Sequence, residues 1–596
     1  MTPARTGSPD SLRLALGSTR LRVGLAFVLV LLLVLGVRLF QLQALDLNGM
    51  AQTGLSKRLT NTAVQPIRGS IVDMNGKYFA RSVERYDIVV DQRLSAVDDF
   101  TRTIPDSDQR ETGVPIDQGL DELSAVLGID AETLRASIMG DMPFNYVARS
   151  VTPEVKNRAL AVGIPGVYAD KTSVRTYPAG PVAGSIIGFV SENGKPQEGL
   201  EYSLNDALEG TPGSRTFEIG GDGIRIPYAT NEDDPAVDGQ NVRLTIDQDL
   251  QWFAQQTIAS QVEDYNAEWG NIVVVEAKTG AIRAMAESTT PDPNDPGATP
   301  PEKRTPNSVS ASFEPGSTTK VITMAAALEE GLIEPTSQFT LENRYTVGAQ
   351  TFKDAFEHGT EKRTTAGILA KSMNTGTVQI GEKLTKQERY DWLKKFGIGE
   401  PLGTGLNEEN QGLLTTPDNW DDRQQYTVLF GQGLTQTALH TAMVYQTLAN
   451  DGVRLQPRLI DAYIDPDGTE HVVPEDEGTR VLSEETALTM RKMLETVTEE
   501  GSGKSGELEQ YRVGSKTGTA EAPSATGGYD GYTLSYAGIA PIEDPQYVVV
   551  ITLQKPQGDL YYLIPGESFQ KVMKQVLNSR NVPASTTQPD IYPVEF

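Results

Sequence analysis

Apolar and polar positions divide the chain into stretches of different texture. Near the start, Val23 to Val37 runs fifteen residues without a charge. Fifteen helical residues span about 22 Å, short of the roughly 30 Å of a bilayer core. Arg22 and Arg38 flank the stretch and can snorkel, so the span extends to about Leu21–Leu42. No Ala-x-Ala-like site follows in Arg38-Leu39-Phe40-Gln41-Leu42-Gln43. This favours an uncleaved signal anchor at 23–42 over a cleaved signal peptide. Arg5, Arg13, Arg20 and Arg22 stand against Asp10 alone. The basic side stays inside, so residues 1–22 form a short cytoplasmic tail and the rest faces outward.

From 43 to about 235 the pattern is mixed α+β with no chemical cluster. Asn75-Gly76 tolerates positive φ at both positions and predicts a hairpin between strands Gly69–Asp73 and Tyr78–Ser82. Tyr86-Asp87-Ile88-Val89-Val90 predicts another strand, and residues 120–140 have helical spacing. Asn231-Glu232-Asp233-Asp234-Pro235 is acidic and turn-rich, a boundary signal. The texture then changes. A helix is predicted through Gln248–Val262, capped by Asp247, followed by a buried strand Asn271–Glu276 and its hairpin partner Ala281–Met285. The chain closes in a polar tail, 581–596, expected to carry no core.

Composition narrows the chemistry. A chain of 596 residues predicts two or three domains. The net charge of −28 opposes phosphate binding, so no nucleic-acid partner is expected. With no cysteine, thiol nucleophiles, disulfides and cysteine metal sites are excluded. His358, His440 and His471 are the only imidazoles, and none sits in a recognisable motif. They are expected to be structural or solvated.

Three short stretches carry candidate chemistry. In Glu314-Pro315-Gly316-Ser317-Thr318-Thr319-Lys320, Pro315 and Gly316 mark a helix start, and the apolar run Val321–Leu328 predicts a buried helix. Ser317 then sits at a helix N-terminus, and Lys320 lies one turn on. An amine depressed by burial can take a hydroxyl proton without histidine. Alone the signal is weak: roughly one to three Ser-x-x-Lys matches arise by chance at this length. Ser568-Phe569-Gln570-Lys571 is one such match. Ser372-Met373-Asn374 lies 55 residues after Ser317. Ser372 can relay a proton, and the Asn374 amide can hold a lysine and a substrate carbonyl together. Lys516-Thr517-Gly518-Thr519 lies a further 144 residues on and predicts an edge strand flanking a cleft. Gly518 is expected to admit a substrate backbone, Lys516 to face a carboxylate, and the Thr519 N–H to form an oxyanion hole with that of Ser317. A second Lys-Thr-Gly at 278–280 fits a plain hairpin turn.

Order and spacing outweigh any single triplet. Ser-x-x-Lys, Ser-x-Asn and Lys-Thr-Gly in this sequence order form a known catalytic set. With it the chain resembles the class B penicillin-binding proteins, membrane-anchored D,D-transpeptidases that cross-link peptidoglycan. The resemblance covers nearly the whole chain. The family's pedestal motif, Arg-Gly-x-Ile-x-Asp-Arg-Asn-Gly, stands here as Arg68, Gly69, Ile71, Asp73, Met74, Asn75 and Gly76, with Met74 where a second Arg is usual. Arg175, Tyr177-Pro178, Gly180 and Gly199-Leu200-Glu201 resemble later pedestal segments; Gly431-Gln432-Gly433 and Gly538-Ile539-Ala540-Pro541 resemble transpeptidase landmarks.

The resemblance implies an α+β multidomain chain. A transmembrane helix leads into an elongated pedestal at 43–235. A penicillin-binding, serine β-lactamase-like transpeptidase domain follows at 241–580, with an antiparallel sheet flanked by helices and an all-α subdomain. It implies Ser317, Lys320, Ser372, Asn374 and Lys516 as catalytic residues, with Thr517, Gly518 and Thr519 binding substrate. It implies stem peptides ending in D-Ala-D-Ala as donors, an amine acceptor, β-lactams as covalent inhibitors, and no cofactor or metal. Expected partners are a SEDS-family glycosyltransferase and divisome membrane proteins. The long pedestal and the stretch Gly558-Asp559-Leu560-Tyr561-Tyr562 look more like the division-specific branch than the elongation branch. Two other readings are a β-lactam-hydrolysing relative and a non-catalytic sensor or scaffold. The first needs a water-activating group that the sequence does not offer, and the second a larger cytoplasmic output.

Overall fold

The computed structural model describes residues 10–43, 56, 58–103, 111–218, 220, 231–524, 527–558 and 563–596. Residues 559–562, part of the division-branch signature, lie outside these. Contacts divide the chain into two units, 1–65 with 212–236, and 66–211 with 237–596.

In the first unit, helix α1 (Asp10–Gln43) contains Thr19–Gln41, 23 residues long and apolar enough to cross a membrane, with none of that span buried. Twenty-three helical residues reach about 34 Å, enough for a bilayer core. Strand β1 (Leu59–Val64) belongs to the same unit.

The second unit begins with the pedestal. Strands β2 (Ile71–Val72) and β3 (Tyr78–Val90) flank the Asn75-Gly76 turn, where Gly76 adopts φ 82°. The two strands expected at 78–82 and 86–90 are one. Strand β3 is held along its length by β5 (Val167–Thr176) and at its far end by β4 (Asn145–Val151). The helical stretch near 120–140 is instead two helices, Ile116–Leu127 and Ala131–Ile138. Gly128 closes the first in the left-handed region, and the Asp130 side chain caps the second by accepting from the Glu132 and Thr133 amides.

The acidic segment read as a boundary signal is a strand, and the division between the two units falls directly after it. In the first unit, β6 (Gly213–Glu218) lies between β1 and β7 (Asn231–Asp234) in an antiparallel sheet. Arg215 pairs with Asp233 at 2.9 Å, so cross-strand pairing overrides the low strand propensity of the acids. Immediately after the boundary, β8 (Asn241–Leu244) pairs in parallel with β2, Val242 opposite Ile71. The pedestal sheet thus continues across the 235–241 junction.

Beyond it, Asp247 caps α2 (Gln248–Asp264), accepting from the Asp249 and Leu250 amides. Strands β9 (Trp269–Glu276) and β10 (Ile282–Glu287) form the predicted hairpin. Helices α3 (Lys320–Glu329), α4 (Thr365–Ala370), α5 (Asn374–Gly381) and α6 (Ala438–Ala449) follow. Next come β11 (Ile460–Ile464) and β12 (Glu470–Val472), which extend the pedestal sheet in the order β12-β11-β8-β2-β3-β4. Helix α7 (Glu484–Glu500), strands β13 (Gly514–Pro523), β14 (Tyr529–Ala540) and β15 (Tyr547–Gln554), and helix α8 (Ile564–Ser579) complete the unit. The five-stranded sheet runs β10-β9-β15-β14-β13, antiparallel throughout, with β13 at its edge.

Period-2 alternation along β9 explains the two cores. Val273 and Val275 face one cluster with α3 and α6, while Ile272 and Val274 face another with Leu250, Ala254 and Ile258 of α2 and Phe569, Val572 and Val576 of α8. The tail after residue 580 is not free of core, contrary to expectation. Val582, Tyr592 and Val594 pack against these clusters. The Thr364 amide donates to Val594 O at 3.3 Å, and a Cβ at Gly367 would sit 2.0 Å from that oxygen. Average polarity hides three well-placed apolar side chains and a backbone docking that composition cannot report.

Candidate active site

Ser317 lies in a single 3₁₀ turn, Gly316–Thr319, that feeds α3. The turn is pinned on two sides. The Gly316 amide donates to Gly431 O at 2.9 Å, and the Gly433 amide donates to Glu314 Oε1 at 2.8 Å. Gly316 itself has φ 56°, and a Cβ there would come within 2.7 Å of Thr519 O. Glycine is therefore required twice over, and the Ser317 turn lies directly against β13. Helix α3 is buried from Lys320 to Ala327, as its apolar run predicts.

The three triplets meet at Ser372. Lys320 Nζ donates to Ser372 O at 2.6 Å and reaches Ser372 Oγ at 3.4 Å. Lys516 Nζ donates to Ser372 Oγ at 3.0 Å and to Thr517 O at 3.0 Å. Ser372 holds φ 57°, an uncommon left-handed conformation for a residue with a side chain, and such outliers persist where surroundings over-determine them. Both lysines are fully buried. Burial pushes the Lys320 amine down to about 7, against the opposing pull of the Asp354 carboxylate. Burial, and then the neighbouring Lys320 charge, holds Lys516 well below the usual lysine range. Two adjacent amines in a dry site disfavour double protonation, so one of them is available as a base near neutrality.

Ser317 and Thr517 are partly exposed and Thr519 is exposed, whereas Lys516 and Gly518 are buried. The edge strand therefore offers its threonines outward. Two expected contacts differ, and one glycine has a packing role. Lys320 does not hydrogen-bond Ser317 Oγ; its amine is taken by Ser372, although catalytic hydrogen bonds commonly tighten only with substrate. The Asn374 amide donates to Lys353 O at 3.2 Å rather than engaging a lysine. A Cβ at Gly518 would meet Ser535 Oγ at 2.2 Å and Pro315 O at 2.8 Å. That glycine seats β13 on the Ser317 loop, on the inner face of the strand.

The decoys separate cleanly. Ser568 is buried in α8 against the core while Lys571 is exposed. Lys278-Thr279-Gly280 is a hairpin turn with Gly280 at φ 68°, its lysine paired to Asp451. Of the histidines, buried His440 completes the capping box of α6 with Thr437, and exposed His471 pairs with Asp465. Two site residues escaped the sequence reading. Ser502 Oγ lies 3.4 Å from Lys516 Nζ and accepts from Thr517 Oγ1 at 3.0 Å. Its signal was the flanking Gly501 and Gly503, where Cβ atoms would strike Ala370 O and Ser515 Oγ at 2.3 Å each. The other is Asp354, taken up below.

The pedestal motif is a second constellation. Buried Glu201 receives Arg68 Nε on one oxygen and Arg175 Nε on the other, each at 2.7 Å. Arg68 also donates to Asn205 Oδ1 and Glu201 O, and Arg175 to Gly69 O. A Cβ at Gly69 would lie 1.8 Å from Gln240 O. Buried Asp73 accepts from the Asn75, Lys77 and Gln248 amides, closing the hairpin turn and fastening it to α2. Arg283 and Arg580 converge on the Met74 thioether, and Arg580 also reaches Asp247. Two guanidinium groups thus already surround the position where the motif usually has another.

Comparisons with known proteins agree with this geometry. The penicillin binding protein transpeptidase domain matches residues 270–577, and the penicillin-binding protein dimerisation domain matches residues 63–244. Penicillin-binding protein PbpB of Mycolicibacterium smegmatis is 35% identical over 95% of this chain and 91% of its own length. Peptidoglycan D,D-transpeptidase FtsI of Escherichia coli is 30% identical over 93% of this chain and 90% of its own. Among solved structures, a peptidoglycan synthetase from Bifidobacterium adolescentis superposes with a TM-score of 0.77 at 33% identity, covering 90% of this chain and all of the other. Penicillin binding protein 3 of Mycobacterium tuberculosis, complexed with aztreonam, gives 0.68 at 28% identity, with coverages of 90% and 100%. Two matched domains in the pedestal-then-transpeptidase order, and relatives aligned almost end to end, place the chain in the class B penicillin-binding proteins, the peptidoglycan D,D-transpeptidase family.

Proposed function

We propose that this enzyme cross-links peptidoglycan stem peptides through an acyl ester on Ser317. The observation that carries the reading is Ser372 Oγ within reach of two buried amines, 3.0 Å from Lys516 and 3.4 Å from Lys320, the residue that directly follows the Ser317 turn. Neutral Lys320 takes the Ser317 hydroxyl proton as Oγ attacks the carbonyl of the penultimate D-Ala. The N–H groups of Ser317 and Thr519 hold the oxyanion, a contribution of about 3 kcal/mol per donor. As the peptide bond breaks, Ser372 and Lys516 pass a proton to the leaving D-Ala amine. Thr517 and Thr519 bind its carboxylate, and Asn374 orients the acyl chain. An amine of a neighbouring stem peptide then attacks the ester, forms the cross-link and returns Ser317 its proton. β-Lactams follow the first half and stall as the ester.

The test uses full-length protein in detergent with a fluorescent penicillin, read by intact mass and peptide mapping. One adduct on the peptide holding Ser317 is expected; no adduct, or one on another serine, overturns the reading. Because Lys320 acts unprotonated and is pushed down to about 7, the acylation rate constant should rise about tenfold per pH unit below that value and flatten above it. A rate that falls as pH rises through 7 would assign the base elsewhere.

The apolar stretch at 19–41 supports single-pass anchoring with the N-terminus cytoplasmic and the catalytic unit outside. Similarity to FtsI supports a role at the division septum, beside a SEDS-family glycosyltransferase and divisome membrane proteins. Depletion should give filamentous or chained cells; rounded cells would point to elongation.

A further inference from the structure

Helix α5, which begins at Asn374, has no cap of its own. Its preceding residue, Met373, offers no side-chain acceptor. The exposed first-turn amides of a helix need partners. Here one is supplied from outside. Buried Asp354, at the end of the strand Gln350–Lys353, accepts from the Thr375 amide through Oδ1 at 3.0 Å and from Thr375 Oγ1 through Oδ2 at 2.6 Å. The residue before it, Lys353, accepts from the Asn374 side chain. Two consecutive residues of one strand end therefore clamp two consecutive residues of the Ser372–Asn374 motif.

Asp354 is itself held. Its Oδ2 lies 3.0 Å from His358 Nε2, and His358 Nδ1 lies 2.6 Å from Gly359 O. Both ring nitrogens face acceptors; burial opposes charge on the ring, but the Asp354 carboxylate and Gly359 O outweigh it and hold the His358 imidazole above its ordinary range. Among the described residues, Glu361 lies 3.9 Å from His358 Nδ1 and is bonded to Arg363, the Asp354 charge also acts on Lys320, and the Lys320 charge acts in turn on Lys516.

We propose that Asp354, fixed by His358, is a positioning residue for acyl transfer: it caps α5 from the neighbouring strand, sets the left-handed turn at Ser372 against the two lysine amines, and places a fixed negative charge within reach of Lys320. This rests on the Ser317 reading above. It adds an anion to a site whose three triplets contain none.

The test measures acylation of full-length protein by fluorescent penicillin from pH 5.5 to 9, with intact mass to locate the adduct. Asp354→Ala is expected to slow acylation about 10- to 100-fold, the usual cost of losing an orienting partner, with the adduct still on Ser317. Asp354→Asn keeps an acceptor for Thr375 but removes the charge. It should recover much of the rate and move the pH midpoint lower, since an anion that favours protonated Lys320 is gone. Thr375→Val removes one of the two hydrogen bonds and should slow acylation without moving the midpoint. Should Asp354→Ala fail to fold, the two volume-conserving variants decide. Wild-type rate and midpoint in Asp354→Asn, together with wild-type rate in Thr375→Val, overturn the proposal. An adduct absent from Ser317 in the unmodified enzyme instead defeats the nucleophile assignment.

Discussion

Ser317→Ala should abolish covalent labelling by penicillin outright, and Lys320→Met should cut the acylation rate about 10²- to 10⁴-fold while leaving the fold intact. The asymmetry follows from the roles. Without Oγ there is no atom to acylate. Without the amine the hydroxyl remains, held in its turn by Gly316 and Gly431, but its proton must go to water. General-base assistance is worth about 10²–10⁴. Methionine nearly matches lysine in length and volume, and it restores to apolar contact a position where burial penalises charge. Thermal melting of Ser317→Ala should therefore match the parent, and Lys320→Met should stay folded but melt slightly lower, since Ser372 O loses its donor. Labelling that persists in Ser317→Ala, or a Lys320→Met rate within about threefold of the parent, would remove these residues from the chemistry. No imidazole competes for the role, since His440 caps α6, His471 pairs with Asp465 and His358 is engaged by Asp354 and Gly359.

Glu201→Ala should be among the most destabilising single changes outside the catalytic centre. It removes the shared partner of Arg68 and Arg175, whose side chains are 12% and 5% exposed. Breaking a buried pair from one side costs about 3–5 kcal/mol, because uncompensated charge stays behind. Here two guanidinium groups are left facing one another. Glu201→Gln keeps one acceptor and should cost less. Intrinsic-fluorescence melting of the full-length protein checks the order. An Ala variant that melts with the parent would show that water or a neighbouring acceptor replaces the carboxylate.

The difference between what was and was not readable follows physical lines. Ser317, Lys320, Ser372 and Lys516 were legible because each sits in a short local pattern and the patterns recur in a fixed order. Gly518 was legible as a requirement, but its packing role was not, because only three-dimensional structure shows Ser535 and Pro315 beneath it. Arg68, Arg175 and Glu201 could be picked out as separate segments, yet no spacing rule announces that one carboxylate serves two arginines, one of them 133 residues away. Asp354 and Ser502 carry no triplet at all; each matters through what it touches. The strand at Asn231–Asp234 and the docking of the tail were not legible, for a shared reason. Their composition is polar, and their order comes from backbone pairing with distant partners.

The parallel pairing of β2 with β8 has a consequence in time. Strand β2 leaves the ribosome about 170 residues before its partner. At roughly 5–20 residues per second, its open side waits on the order of 10–30 s, paired only with β3 on the other. During that interval the nascent pedestal presents an unsatisfied row of backbone donors and acceptors to whatever passes. That row is two residues long, and a template so short gives a stray strand little to hold.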